Sequence, residues 1–221
     1  MKALILAAGR GERMRPLTDT LPKPLLKVHG KPLIIWHIER LKECGFDEIV
    51  INIAYLGEKI IALLGDGSQW GVSISYSDER DTGALESAGG IKKALSLLGD
   101  APFLVLNGDI FCDYTFNPNF KLHNALAHLV LVPNPSHNTQ GDFALDADGF
   151  VTNTTRNRYT FSGIGYYHHK LFDDVALQKA PLAPLLRQHC DKKNITGELF
   201  NKIWHDIGTP QRLREINNHE I

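Results

Sequence analysis

A glycine-rich and basic segment near the start of the chain carries the residue types that bind phosphate. Ala3–Leu6 is a short apolar run, and Gly9 and Gly11 follow it directly, with Arg13 and then Lys23 further along. Glycines allow the backbone to approach an anion closely and to turn its N–H groups toward it. Arginine and lysine supply the compensating positive charge. The sequence therefore predicts a polyphosphate-binding segment.

The spacing of this segment excludes two common phosphate-binding motifs. No Lys-Ser/Thr pair stands where a Walker A loop needs it, and Met14 occupies the place of the third glycine of a dinucleotide fingerprint. The glycine pair alone would also fit a tight strand-to-helix turn. Lys23 favours phosphate binding, because Pro22 and Pro24 restrict the backbone on either side and limit the entropy lost when Lys23 holds an anion. Arg15 is equally compatible with pairing to an internal carboxylate.

Two aspartates are the candidate metal ligands. Asp109 comes at the end of the apolar run Phe103–Asn107, and Asp206 ends a second predicted strand. A carboxylate at the end of a buried strand must be paired, hydrogen-bonded or bound to metal. Mg²⁺ in phosphoryl-transfer sites commonly takes one or two carboxylates together with phosphate oxygens and water. A role as a helix N-cap or turn carboxylate remains open for each aspartate.

The first half of the chain alternates apolar runs with segments of helical periodicity. Strands are predicted at residues 3–6, 48–53, 73–77 and 103–107, and helices at 31–44, 56–64 and 91–98. This alternation is typical of a parallel sheet covered by helices. Because ligands of open α/β sheets bind beyond the carboxyl ends of the strands, residues 7–23 and 107–109 are expected to share one cleft.

The second half changes to a partly antiparallel pattern. Strands are predicted at 127–132, 161–167 and 199–207, a hairpin at 143–151, and helices starting at Pro181 and Pro210. No linker, repeat or low-complexity tract divides the chain. We therefore expect a single domain over residues 1–221.

Composition excludes several function classes. The 221 residues include 24 basic and 25 acidic side chains, and a net charge of −1 argues against nucleic-acid binding. The 3 cysteines and 10 histidines show neither CxxC spacing nor a histidine pair suited to zinc. The absence of a signal peptide and of an 18-residue apolar run predicts a soluble cytoplasmic protein that does not cross a membrane.

The motifs resemble the signature of nucleotidyltransferases that join a nucleoside triphosphate to a sugar 1-phosphate and release pyrophosphate. The likeness runs through LAAGRGERMRPLT, PKPL, GKPLI, LNGDI and WHDIGTP, which span almost the whole chain. The segments ESAGGI, GDF and TFSG are most similar to the N-acetylmuramate-1-phosphate uridylyltransferases of peptidoglycan recycling in the bacterial cell wall. The resemblance implies a Rossmann-like, glycosyltransferase-A-like mixed α/β sheet flanked by helices, with a partly antiparallel sugar-binding extension. Residues 1–115 would mainly bind nucleotide and residues 116–221 mainly sugar phosphate.

The resemblance also implies roles for the residues that match the family's motifs. Arg13 and Lys23 would be catalytic, and Asp109 and Asp206 would hold Mg²⁺. The implied nucleotide-binding residues are Ala7, Ala8, Gly9, Gly11, Glu12, Arg13, Lys23, Ser87, Ala88, Gly89 and Asn107. Backbone groups near residues 87–89 would read the pyrimidine edge. The implied sugar-phosphate-binding residues are Gly141, Asp142, Ser162 and Gly163.

Two departures from the family pattern affect the implied site. Relatives usually read E-T-G-G-G where this chain has Glu86-Ser87-Ala88-Gly89-Gly90, which keeps a hydroxyl and a small residue. Larger members also carry an E-K-P triplet whose lysine grips the sugar phosphate, and this triplet is missing. Arg156 or Arg158 would substitute for that lysine, or the sugar phosphate is held in another way.

The implied reaction is attack by a sugar 1-phosphate on the α-phosphorus of UTP. Guanylyl transfer to mannose 1-phosphate and thymidylyl transfer to glucose 1-phosphate are the nearest alternatives. A non-catalytic sensor of nucleotide sugars is an alternative of another class. Relatives often assemble through extra C-terminal segments, and this chain ends soon after its last predicted helix, which favours a monomer.

Overall fold

The computed structural model describes residues 1–218 as a mixed α/β fold. The strands, in chain order, are β1 (Ala3–Leu6), β2 (Lys27–Val28), β3 (Lys31–Pro32), β4 (Glu48–Ile53), β5 (Ser73–Asp78), β6 (Phe103–Asn107), β7 (Ile110–Cys112), β8 (Ala127–Val132), β9 (Phe143–Leu145), β10 (Val151–Thr152), β11 (Arg158–Tyr167), β12 (Ile195–Leu199) and β13 (Trp204–Asp206). The helices are α1 (Leu33–Glu43), α2 (Gly57–Leu64), α3 (Glu86–Leu98), α4 (Leu182–Cys190) and α5 (Pro210–Asn218).

One large sheet combines parallel and antiparallel strands, as the sequence predicts. Strands β6, β1, β4 and β5 lie side by side and run parallel. Strand β11 then pairs antiparallel with β6 and β8, and β12 pairs parallel with β8. The predicted mixed sheet with a partly antiparallel extension is confirmed, and it draws strands from both halves of the chain.

The core lies on both faces of the parallel strands. In β1, Ile5 packs into one apolar cluster with residues of α1 and α2, while Leu4 packs into a second cluster with residues of α3 and α4. Both side chains are fully buried. Burial on both faces explains why these strands read as continuous apolar runs rather than as alternating patterns.

The structure corrects two predicted elements. Helix α3 begins at Glu86 and not at residue 91, so the segment proposed to read the base is itself helical. The predicted strand 199–207 is wrong: Leu199 ends β12, residues 200–203 are not in a strand, and residues 204–206 form β13. Strands β12 and β13 pair with β8 and β7 in different sheets. Phe200 and Ile203 continue the apolar pattern through the break, so the sequence does not reveal it.

No helix within residues 1–218 is both long enough and apolar enough to span a bilayer.

Candidate active site

A cleft opens where the parallel strands β1, β4 and β6 end. Register aligns Leu6 of β1 with Asn52 of β4 on one side and with Asn107 of β6 on the other. The first pocket of this cleft has a volume of about 310 Å³ and is lined by Leu6, Ala7, Ala8, Gly9, Gly11, Lys23, Pro24, Asn52, Ala84, Glu86, Ser87, Asn107, Gly108 and Asp109. The two sequence segments expected to share a cleft therefore do so.

The loop after β1 folds back so that its two ends meet. Gly11 has a φ of 68°, and its carbonyl accepts a hydrogen bond of 2.9 Å from the Thr18 hydroxyl. A side chain at Gly11 would lie 3.3 Å from Cβ of Lys23, so glycine permits close contact with the lysine stem. Met14 is fully buried and anchors the middle of the loop. Lys23 thereby returns to the mouth of the cleft.

Lys23 and Asp109 form an ion pair inside the first pocket. Their Nζ and Oδ2 atoms are 2.5 Å apart, and the two side chains are 12% and 31% exposed. Lys23 comes from the end of the loop after β1, while Asp109 follows β6. A lysine and a carboxylate from distant parts of the chain thus face the same space.

The backbones of Asp206 and Asp109 are neighbours through strand pairing, but Asp206 does not line the first pocket. Strand β13 pairs with β7, and the Ile207 N–H donates to the Asp109 carbonyl at 2.7 Å. The Asp206 carboxylate pairs with Arg212 at 2.5 Å and with His137 at 3.0 Å. Within residues 1–218, no cluster of three or more His, Cys, Asp or Glu side chains is arranged to hold a metal ion. The two predicted metal ligands therefore lie on neighbouring backbone segments, and each carboxylate forms an ion pair, Asp109 with Lys23 and Asp206 with Arg212.

The start of α3 contributes less backbone to the cleft than the sequence predicts. Glu86 and Ser87 line the first pocket. The N–H groups of Ala88 and Gly89 instead donate to the Ala180 carbonyl at 2.9 and 3.2 Å. A side chain at Gly89 would lie 2.2 Å from the Gln178 carbonyl oxygen, so this glycine allows α3 to pack against that segment.

A buried polar network, which the sequence did not indicate, joins the turn after β1 to the start of α3. Asn52 accepts a hydrogen bond from the Ala7 N–H at 2.6 Å and donates to Glu79 at 2.7 Å. Glu79 also accepts from the Leu85 N–H at 2.8 Å. Burial raises the pKa of this fully enclosed carboxyl group. The one sequence signal was an asparagine inside the apolar run EIVINI.

A second pocket continues the cleft beyond Ser87. It shares Glu86, Ser87 and Asn107 with the first pocket and is otherwise lined by Asp142, Phe143, Phe161, Pro181, Leu182, Ala183, Leu186 and Arg187. A β-bulge in β11 contains Gly163, which has a φ of 80°. A side chain there would lie 2.5 Å from Nδ2 of Asn107. Gly163 therefore makes room for the side chain that the two pockets share.

The remaining predicted sugar-side residues have different surroundings. The Asp142 carboxylate lines the second pocket and accepts the Phe161 N–H at 2.8 Å. Ser162 is buried and donates its hydroxyl to the Val130 carbonyl at 2.7 Å, so that hydroxyl does not face the cleft. Gly141 has a φ of 64° and packs against Arg158.

The arginines near the cleft also differ in their partners. Arg13 is exposed and has no ion-pair partner among the described residues. Glu12 pairs with Arg10 at 2.8 Å, and Arg15 pairs with Asp19 at 2.6 Å. The Arg15–Asp19 pair is exposed, whereas the alternative for Arg15 predicted an internal carboxylate. Arg13 therefore remains free to contact a ligand.

His37 is a further buried group behind the first pocket. Burial lowers the pKa of its imidazole from 6.5 to about 4, against the opposing influence of the nearby Asp109 carboxylate. His37 is therefore neutral at pH 7. A histidine inside a helix offers no sequence signal of this position.

The chain is similar to several known proteins. The family described as nucleotidyl transferase matches residues 2–221. N-acetylmuramate alpha-1-phosphate uridylyltransferase from Neisseria meningitidis serogroup B is 53% identical over 97% of this chain and 96% of its own length. UTP–glucose-1-phosphate uridylyltransferase from a Synechocystis species is 38% identical over 68% of this chain and 42% of its own length. A Bacillus anthracis structure, assigned as a glucose-1-phosphate thymidylyltransferase, shares the fold with a TM-score of 0.84, 23% identity and coverage of 98% of this chain and 94% of its own.

Proposed function

Because the chain belongs to the nucleotidyl transferase family, we propose that it transfers a uridylyl group from UTP to N-acetylmuramate 1-phosphate and releases pyrophosphate. One observation carries the chemistry: Lys23 and Asp109 meet in a cleft at the carboxyl ends of β1 and β6. The acceptor is inferred from the Neisseria relative, which matches nearly the whole chain. The product would be a UDP-sugar of peptidoglycan recycling.

The loop after β1 is the proposed triphosphate site. A side chain at Gly9 would meet no atom within 4 Å, so the space beside this turn is open. Ala7, Ala8 and Gly11 line the same pocket, and these small residues take up little of it. Exposed Arg13, with Glu12 beside it, would close on the phosphates as they bind. Backbone N–H groups and one or two cations are a common way to hold polyphosphate.

The transfer itself needs little covalent help from the protein. An oxygen of the sugar 1-phosphate attacks the α-phosphorus of UTP, a new P–O bond forms, and the bond to the β-phosphate bridging oxygen breaks. No general base is needed, because a phosphate monoester is already anionic near neutral pH. Lys23 would neutralise charge at the α-phosphate, and positioning by the cleft would supply most of the remaining rate.

We propose Mg²⁺ as the cofactor, held by Asp109 and Asp206. Asp109 lies in the turn before β7 and Asp206 ends β13, which pairs with β7. Two carboxylates suit this ion, since Mg²⁺ usually completes its coordination with phosphate oxygens and water. When bound, the ion would supply positive charge that offsets the negative charge of the phosphates. Lys23 and Arg212 now occupy these carboxylates, so both pairs would have to exchange partners when substrate binds.

The second pocket is the proposed acceptor site. Asp142 lines it, and Gly163 makes room for Asn107, which would contact the ribose where the two pockets meet. Gly141, next to Asp142 in the chain, would contribute through its backbone. Ser162 would act through its backbone, because its hydroxyl is occupied. Ser87 and the backbone next to it would make most of the contacts that recognise the uracil base. We also propose that the protein works as a monomer in the cytoplasm.

A pyrophosphate-release assay over a matrix of nucleoside triphosphates and sugar 1-phosphates tests this proposal. We expect the highest kcat/KM with UTP and N-acetylmuramate 1-phosphate, and no release without a divalent cation. Release with GTP or dTTP but not UTP would reject uridylyl transfer. Nucleotide binding without release in any combination would favour a non-catalytic sensor.

A further inference from the structure

Arg187 presents a guanidinium group to the second pocket from helix α4. Its guanidinium carbon lies 4.8 Å from the centre of the Phe143 ring, and both residues line the pocket. Stacking on an aromatic face restricts the long side chain without using its N–H donors. Arg187 is therefore held in place with its hydrogen-bonding edge available.

The charges of the pocket leave Arg187 without an anionic partner. Glu86 and Asp142 also line the pocket, but Asp142 accepts hydrogen bonds from Phe161 and Asn138. The polar contact of Arg187 is a long one of 3.5 Å to the Asn153 side chain, and it forms no ion pair within residues 1–218. Its donors are thus largely free to receive an anion.

The arginines that the sequence offered for this task are placed differently. Arg158 donates to the carbonyls of Thr154 at 2.6 Å and Asn153 at 3.0 Å, so it stabilises its own loop. Arg156 is exposed and does not line the pocket. Within the described chain, Arg187 is the one cationic side chain that lines the second pocket.

The proposed acceptor carries an anionic group that could pair with Arg187. Its 1-phosphate must lie near Lys23 and Asp109, in the first pocket, because the α-phosphate of UTP reacts there. The sugar then extends past Asn107 into the second pocket. N-acetylmuramate differs from N-acetylglucosamine by a lactyl ether at O3 that ends in a carboxylate. A guanidinium fork matches a carboxylate with two parallel hydrogen bonds.

We propose that Arg187 is a specificity-determining residue that pairs with the lactyl carboxylate of the acceptor, an assignment that rests on the proposed function above. An acceptor without this carboxylate would leave the guanidinium without its anion when the pocket fills. Arg187 therefore contributes to selection of the acceptor and not to the transfer of the uridylyl group.

The test compares acceptors with and without the carboxylate. Initial rates are measured for wild type, Arg187→Gln and Arg187→Lys with N-acetylmuramate 1-phosphate, with its lactyl methyl ester and with N-acetylglucosamine 1-phosphate. Arg214→Gln, on exposed helix α5, is the matched control. Products are followed by mass spectrometry, which detects slow turnover, and thermal midpoints report folding.

For N-acetylmuramate 1-phosphate, Arg187→Gln is expected to lower kcat/KM by about 100-fold, mainly through KM. For the two acceptors that lack the carboxylate we expect a change of less than about threefold, and no change in the KM for UTP. Arg187→Lys should recover part of the loss, since an ammonium keeps the charge but not the fork. Arg214→Gln should behave as wild type.

Equal losses for all three acceptors in a folded Arg187→Gln protein would overturn the proposal, and so would no loss for any. Failure of the underlying function is distinguishable, because wild type itself would then not use N-acetylmuramate 1-phosphate. A wild type that uses N-acetylmuramate 1-phosphate and its lactyl methyl ester equally well would overturn the role of Arg187 alone.

Discussion

The two pockets of the cleft are built in different ways. The first takes most of its lining from the loop after β1 and from the ends of adjacent parallel strands. The second shares Glu86, Ser87 and Asn107 with the first and takes the rest of its lining from the antiparallel pair β9 and β11, with the residue before β9, and from α4, with the residue before it. Parallel strands bring their carboxyl ends to one edge by rule, whereas the second pocket depends on how particular side chains pack.

This difference predicts a division of labour. Chemistry common to the family belongs in the first pocket, because its geometry follows from the sheet. Choice of acceptor belongs in the second, where residues can change without disturbing the parallel strands. Variants of the first pocket should therefore affect every acceptor equally, and variants of the second should discriminate among them.

The largest effect should come from Asp109→Asn. Removing the carboxylate charge from the first pocket should lower kcat at least about 10³-fold, or roughly 4 kcal/mol in the barrier, because charge neutralisation dominates such transfers. The loss should be the same for every acceptor that wild type uses. Steady-state pyrophosphate release measures it, with Asp100→Asn, exposed at the other end of β6, as the control. Full activity of Asp109→Asn with Mg²⁺ alone would contradict the metal assignment.

Acid should weaken the region behind the first pocket through His37. The pKa of this imidazole is about 4 when folded and 6.5 when exposed, so the unfolded chain binds a proton that the folded chain does not. This contribution to stability is present above pH 6.5 and is lost as the pH falls toward 4, by roughly 3 kcal/mol in total.

Urea unfolding of wild type and His37→Phe in the presence of a chelator isolates this titration. The wild-type free energy of unfolding should fall more steeply between pH 6.5 and 4.5 than that of the variant. Parallel curves would show that the pKa of His37 is the same in the folded and the unfolded protein, and would contradict the effect of burial.

A smaller effect is expected where the pockets meet. Gly163 and Gly149 both have a positive φ, of 80° and 82°. In Gly163→Ala the alanine side chain would overlap Asn107, whereas in Gly149→Ala it would meet open space. Both pay the backbone strain of about 1 kcal/mol, and overlap with Asn107 should destabilise Gly163→Ala by about 2 kcal/mol more. Denaturant unfolding measures both, and equal losses would mean that the contact with Asn107 is easily relaxed.

The smallest effect concerns the buried network of the first pocket. A side chain at Gly90 would lie 2.7 Å from Nδ2 of Asn52 and 2.9 Å from Oε1 of Glu79. Alanine in a helix normally stabilises relative to glycine, yet Gly90→Ala should destabilise by about 1 kcal/mol because the network must shift. The KM for UTP should rise by the same factor whichever acceptor is used in the assay. A more stable Gly90→Ala protein, compared with Ser96→Ala on the same helix, would contradict this packing.

Sequence reasoning succeeded where the rules of the parallel sheet apply. The bounds of β1, β4 and β6 and the approach of Lys23 to Asp109 followed from apolar runs that end in polar residues. The role of Asp206 could not be predicted in this way, because it depends on ion pairs with Arg212 of α5 and with His137, which lies far from Asp206 in the chain.

The same limit explains the other differences at the cleft. The N–H groups of Ala88 and Gly89 are directed to Ala180, and Arg187 reaches the second pocket only through the packing of α4. Neither spacing nor periodicity encodes which distant segment will lie against an element. Such contacts depend on tertiary packing, which is why the acceptor side was the less predictable one.

An internal competition measures the central claim most directly. Wild type is given UTP, Mg²⁺ and equal concentrations of N-acetylmuramate 1-phosphate and N-acetylglucosamine 1-phosphate, and the ratio of the two UDP-sugars is read by mass spectrometry at low conversion. That ratio equals the ratio of the two kcat/KM values. We expect the UDP-N-acetylmuramate product to exceed the other by about 100-fold, as a bidentate ion pair in the second pocket would give. Equal amounts, or an excess of UDP-N-acetylglucosamine, would contradict the assignment of acceptor choice to the second pocket.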